Sequence, residues 1–158
     1  MRKSIATVSL SGTLQDKLVA VADAGFDGVE IFENDLVASP LRPSDVRRLT
    51  ADLGLTIDLY QPFRDLDSVS DERFRSNLRR AERKLALTAE LGTDRLLLCS
   101  NVSEDAVYDD TRLAEQLHRL AERASAHGIV LAYEALAWGR HVNDPTHAWK
   151  IVEYADHP

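Results

Sequence analysis

Two hydrophobic rhythms alternate along this chain. Short apolar runs such as Arg95-Leu96-Leu97-Leu98-Cys99 and Ile129-Val130-Leu131-Ala132-Tyr133 have the length and content of buried strands. Between them, apolar residues return every three or four positions, the spacing of one helix face. The expected first strand is residues 4–10. Its helix keeps Leu14, Leu18 and Val21 on one side, and Thr13 with Asp16 forms a capping box at its start. A second helix opens at Pro43 and continues through Val46, Leu49 and Leu53. A third follows Ser70 through Phe74, Leu78, Ala81 and Leu85, its other face rich in Arg and Glu. A fourth carries Leu113, Leu117, Leu120 and Ala124. A fifth opens on Asp144-Pro145 and runs through Ala148, Ile151, Val152 and Ala155.

Glycine punctuates the pattern. Gly25, Gly54, Gly92 and Gly128 each end a helical stretch just ahead of a strand, where a left-handed helix cap is needed. They lie 29, 38 and 36 residues apart, the size of a βα unit. Strand then helix, repeated five times, predicts a parallel sheet. A doubly wound sheet and a (β/α)8 barrel both satisfy that order. A whole barrel takes about 250 residues, so 158 residues hold about the first five units of one. Nothing marks a linker, a low-complexity stretch or a second domain.

Composition narrows the partners. Net charge is −7, from 26 acidic and 19 basic side chains, which argues against nucleic acid or an anionic membrane. A small anionic substrate remains compatible, because one or two placed arginines reverse the sign locally. The lone cysteine, Cys99, excludes an intrachain disulfide and fits a reducing cytoplasm. The N-terminus makes a poor signal peptide. No segment has the roughly 20 apolar residues of a membrane span.

In parallel α/β folds the chemistry sits at the carboxyl ends of the strands. The polar residues expected there are Ser9 and Ser11, then Glu30, Glu33 and Asn34, then Gln61 and Arg64, then Ser100 and Asn101, and finally Glu134, Trp138, Arg140, His141 and Asn143. Glu134 follows an apolar run directly, so its carboxylate is costly unless paired. It is read as a metal ligand or acid/base group, against a structural salt bridge. Glu30 points into the barrel to meet substrate, or pairs with a neighbouring Arg or Lys. Arg64 is a clamp for a substrate carboxylate, with Arg140 as second candidate, or an ordinary surface arginine. His141 is a general acid or base, or simply an exposed loop histidine. Trp138 is expected as a pocket wall, Cys99 as a core residue, and His118 and His127 as surface. The dinucleotide and Walker phosphate loops are missing, as are C-x-x-C, H-E-x-x-H and G-x-S-x-G. A hard carboxylate without thiolates predicts an oxygen-loving divalent ion such as Mg2+ or Mn2+.

Several stretches together carry a resemblance. Ser4-Ile5-Ala6-Thr7-Val8-Ser9-Leu10-Ser11-Gly12-Thr13-Leu14, Gly25-Phe26-Asp27-Gly28-Val29-Glu30-Ile31-Phe32, Gln61-Pro62-Phe63-Arg64-Asp65, Cys99-Ser100-Asn101-Val102 and Tyr133-Glu134-Ala135-Leu136-Ala137-Trp138-Gly139-Arg140-His141-Val142-Asn143 resemble the bacterial 3-dehydroshikimate dehydratases, of the xylose-isomerase-like sugar phosphate isomerase/epimerase barrels. The second stretch is common to the wider superfamily; the third and fifth are the specific ones. The resemblance implies a TIM barrel with one divalent metal (Mg2+, Mn2+ or Co2+), and dehydration of 3-dehydroshikimate to protocatechuate in quinate and shikimate catabolism. It implies Glu134 as a metal ligand; charge and position, rather than the resemblance, make Glu30, Arg64, Asn101, Trp138 and Arg140 the expected substrate contacts and His141 a catalytic candidate beside Glu134. The other ligands and a histidine base would come from strands six to eight. Residues 1–158 are thus expected to be the N-terminal part of a single barrel domain, with little activity alone. Strand edges one and five would be open to self-association. The competing readings are a sugar or hydroxypyruvate isomerase or epimerase of the same superfamily, and a non-catalytic fragment or binding module.

Overall fold

The structure is a computed structural model that describes residues 1–157. Five strands, β1 (Ser4–Ala6), β2 (Gly28–Phe32), β3 (Thr56–Phe63), β4 (Arg95–Cys99) and β5 (Val130–Glu134), form one sheet in the order β1-β2-β3-β4-β5. Every neighbouring pair is parallel. The connections are α1 (Leu14–Asp23), α2 (Glu33–Ala38) with α3 (Pro43–Asp52), α4 (Asp71–Leu91) and α5 (Asp110–Ala126). Helix α6 (Pro145–Ala155) follows β5. Helices α3, α4, α5 and α6 pack each against the next. This singly wound order is that of a barrel wall rather than of a doubly wound sheet.

The expected caps form. Thr13 and Asp16 make both bonds of a capping box; Ser70 and Asp144 each accept a backbone N–H at the start of α4 and α6. Gly25, Gly54, Gly92 and Gly128 all have positive φ. Leu113, Leu117, Leu120 and Ala124 bury the inner face of α5, as the apolar spacing predicts.

The first strand is shorter than expected, and two other features depart from a plain βα repeat. The first strand ends at Ala6, and residues 7–9 form a 3-10 turn. Thr7 is wholly buried there, and its Oγ1 accepts the Phe32 N–H at 3.0 Å, so the chain turns to dock on the end of β2. The second unit holds an extra helix, α2, because Glu33 and Asp35 suit a helix first turn directly after the strand. Strand β3 runs on through Phe63, taking in Pro62. Pairing with β4 passes from Tyr60↔Leu96 to Phe63↔Leu98, so the proline sits in a bulge where no ladder N–H is required.

Strand parity separates two faces. Val29, Ile31, Leu96 and Leu98 are buried in the core; Leu131 and Tyr133 line a cavity with Leu117 and Ala121 of α5. Glu30, Leu97, Cys99, Ala132 and Glu134 therefore occupy the opposite face, the one that turns inward when a barrel closes.

Candidate functional site

Glu134 is the last residue of β5, on that inner face. Its backbone carbonyl accepts the Ser100 N–H at 2.9 Å, which fixes the strand end. Its Oε2 accepts only the weak Cys99 thiol donor, at 3.4 Å. No Lys, Arg or His lies within ion-pair distance of it among the described residues. The salt-bridge alternative for Glu134 thus finds no partner here. Glu30 likewise has no ion pair among the described residues. Its Oε2 accepts Gln61 Nε2 at 2.6 Å. Burial raises its pKa, the Gln61 bond opposes this, and the charges of Glu134 and Asp58 push it up further. Cys99 is a buried thiol; burial and then Glu134 push its pKa to about 12, so it is a core residue and no nucleophile.

Arg64 is exposed just past β3, and its positive charge acts on the Cys99 thiol. It lines a cavity of about 190 Å³ with Phe32, Glu33, Asn34, Pro62, Arg80 and Lys84. Lys84 pairs with Glu33, which also accepts the Tyr60 hydroxyl, and Arg80 donates to the Arg64 carbonyl at 3.2 Å. Lys84 and Arg80 escaped the sequence reading, hidden in the Arg- and Glu-rich face of α4. Their spacing of four, with Lys84 in the half-buried part of the helix, was the available signal.

Asn101 is 2% exposed. Its Nδ2 donates to the Asp67 carbonyl at 2.7 Å and its Oδ1 accepts the Ser103 N–H at 2.8 Å. One donor and one acceptor position of the amide thus brace two loops. Trp138 stands 66% exposed. Among the described residues the Arg140 guanidinium pairs with Glu104, at 3.9 Å, and its backbone N–H donates to the Asn101 carbonyl.

His141 is tied elsewhere. Its Nε2 lies 2.6 Å from Asp110 Oδ1, and His147 Nε2 lies 2.9 Å from the same oxygen. Asp110 begins α5 and His147 sits in the first turn of α6. Neither was singled out from the sequence, although both lie at helix starts that follow strands, where barrel chemistry gathers. These three residues have the composition and spacing to hold a metal ion. None of them touches Glu134 among the described residues.

The fold and the strand-end carboxylates define a xylose isomerase-like TIM barrel, and the chain belongs to that family: its sequence pattern matches residues 18–158. The chain is 60% identical over 156 residues to the 3-dehydroshikimate dehydratase of Pseudomonas aeruginosa, covering 99% of this chain and 25% of that protein. Against the enzyme of the same name from Pseudomonas putida it is 56% identical over 158 residues, covering 100% and 25%. A solved xylose isomerase-like TIM barrel/4-hydroxyphenylpyruvate dioxygenase fusion protein superposes with a TM-score of 0.98 at 56% identity, over 100% of this chain and 25% of that one. The chain thus spans about a quarter of the length of these relatives.

Proposed function

We propose that this chain supplies the first five βα units of a cytoplasmic, metal-dependent 3-dehydroshikimate dehydratase, which forms protocatechuate by loss of water. The observation that carries the reading is Glu134: an inner-face strand-end carboxylate with no cationic side chain paired to it among the described residues. Glu134 is exposed along the open inner face, and its charge acts on a second carboxylate, Glu30, raising its pKa; a divalent cation held by Glu134 would offset that repulsion. The 60% identity to a protein of that activity supplies the substrate. No helix among the described residues is long and apolar enough to cross a membrane.

Glu134 would hold a hard ion such as Mg2+, Mn2+ or Co2+, which when bound polarises the substrate ketone and acidifies the adjacent C–H. Arg64, exposed and without an ion pair among the described residues, binds the substrate carboxylate through its planar pair of donors. Glu30, oriented by Gln61, faces the same space and accepts a hydrogen bond from a substrate hydroxyl. Loss of the α-proton, then of the β-hydroxyl as water, ends in an aromatic ring. Remaining ligands and the base come from the units that complete the barrel, as the resemblance implies. His141 has its Nε2 committed to Asp110, and in this reading it anchors the loop.

The test is protocatechuate formation, followed by ultraviolet absorbance, by a protein carrying this chain in a complete barrel. Activity is lost with a chelator and restored by Mg2+, Mn2+ or Co2+. Ketose interconversion without protocatechuate would replace this reading with the isomerase or epimerase one. The 158-residue chain alone is expected to show little turnover.

A further inference from the structure

Asp110 meets His141 and His147, which follow it by 31 and 37 residues in sequence. The two imidazoles meet nearly edge to face, with ring centroids 5.1 Å apart and an interplanar angle of 83°. Stacked rings would hold their nitrogens parallel. These instead bring both Nε2 atoms onto one oxygen, Asp110 Oδ1, and all three donor atoms lie within 4.8 Å of one another. A tetrahedral zinc ion sits about 2.0–2.2 Å from nitrogen and oxygen donors. The present donors need only small outward shifts to admit it.

Charge points the same way. Among the described residues, Asp110 has no Lys or Arg ion pair; its only partners are the two histidines. The neighbouring Arg112 turns instead to Asp71 and Asp109. A carboxylate facing two imidazoles carries one uncompensated negative charge and two nitrogen donors. The side chain of His141 is 12% exposed and that of His147 24%, so the donors are partly withdrawn from competing water.

We propose that Asp110, His141 and His147 form a metal site separate from Glu134, taking a late first-row divalent ion such as Zn2+, Co2+ or Ni2+. Two imidazoles and one carboxylate favour these over Mg2+. Three protein donors leave a fourth position for water. The ion ties the 135–144 loop, which continues directly from Glu134, to the first turns of α5 and α6. Its role is a staple for the loop beside the carboxylate site.

The proposal is independent of the dehydratase reading, since binding here and turnover at Glu134 can each fail alone. The experiment is a Co2+ titration of the metal-stripped full-length protein, in a Glu134→Gln background that silences the other carboxylate. The expected result is one tightly bound Co2+ with the intense visible bands of four-coordination, displaced by Zn2+, unmoved by excess Mg2+, and accompanied by a rise in melting temperature. His147→Ala and Asp110→Asn should each weaken Co2+ binding by about a hundredfold or more, beyond the 10–100-fold cost of losing a residue that only supports a ligand. If His147→Ala does not fold, the nearly isosteric Asp110→Asn carries the test. Unchanged affinity and spectrum in Asp110→Asn, or no four-coordinate band in the Glu134→Gln protein, would overturn the proposal.

Discussion

Two groups at the end of β5 differ in how they are assembled. Glu134 is a single carboxylate on the inner face, beside Cys99 and in the field of Glu30. Asp110, His141 and His147 are a finished constellation on the outside of the strand ends, built by two helix starts and a loop. The difference follows from the barrel. An inward strand end meets its partners across the lumen, so its chemistry is shared among strands far apart in sequence. Adjacent βα units place their helix N-termini side by side, so a constellation there can be completed by two neighbouring units. The side chains differ accordingly: a carboxylate on the inner face, two imidazoles and a carboxylate at the helix starts.

The strongest way to separate the two is to remove the inner carboxylate. Glu134→Gln keeps shape and loses charge. In the complete barrel it should lower kcat/KM for dehydration by about a hundredfold or more, exceeding what loss of a mere supporting residue costs. Co2+ binding at the outer cluster should persist. Steady-state assay and metal titration on one preparation check both. Retention of full activity in Glu134→Gln would end the claim that this carboxylate serves the reaction.

Next in size is Gly139→Ala, which acts on the connection between the regions. A Cβ at Gly139 would collide with the Val142 carbonyl oxygen and with the Ser100 hydroxyl. That hydroxyl accepts the Leu136 N–H at 3.0 Å, two residues past Glu134. The backbone obstacle cannot swing away, so the loop must shift. Overpacking of this kind costs about 3 kcal/mol at the upper end of its usual range. The measurement is a urea midpoint, with activity and outer-cluster binding both reduced because both hang on this loop.

The fold was legible where local rules decide it. Thr13, Ser70 and Asp144 cap helices, the four glycines end them, and the apolar faces of α4 and α5 are those the spacing marks. The site was legible only by position. Glu134 stands out because a carboxylate terminates an apolar run. Asp110 looks like any acid at a helix start, His147 like any exposed histidine, and only the packing of α5 against α6 brings them to one point. The commitments of Asn101 to Asp67 and Ser103 are invisible in sequence for the same reason: a side-chain amide finds its partners in three dimensions. Pro62 stands inside a strand because a bulge admits it there, which only the pairing of β3 with β4 reveals.

Arg64→Ala sharpens the inner region alone. A hydrogen bond to a charged group contributes about 1.5–3 kcal/mol. Losing the carboxylate clamp should therefore raise KM for 3-dehydroshikimate about 10–100-fold, with kcat changed far less, and leave outer-cluster metal binding intact. An unchanged KM would reassign Arg64 to ordinary surface.

The smallest expected effect lies behind both regions, at Asp67. This carboxyl is wholly buried; its Oδ2 accepts the Tyr133 hydroxyl at 2.8 Å and its Oδ1 has no partner. Burial raises its pKa from 3.8 to about 6, against the Tyr133 bond. The folded state therefore binds a proton more readily than the unfolded one between about pH 4 and 6, and stability contributed by this group grows as pH falls through that window. Between pH 7 and pH 5 the gain is on the order of 1 kcal/mol, from a two-unit shift worth about 1.4 kcal/mol per unit when fully expressed. Asp110, whose carboxyl is held low by its histidines, stays ionised over the same range and contributes no such gain. Urea midpoints at pH 5 and pH 7 for the parent and for Asp67→Asn isolate the term, because the other carboxylates cancel in the difference. The parent should gain stability on acidification relative to the variant, and an identical pH response in the two proteins would show that the buried carboxyl is not the group that titrates.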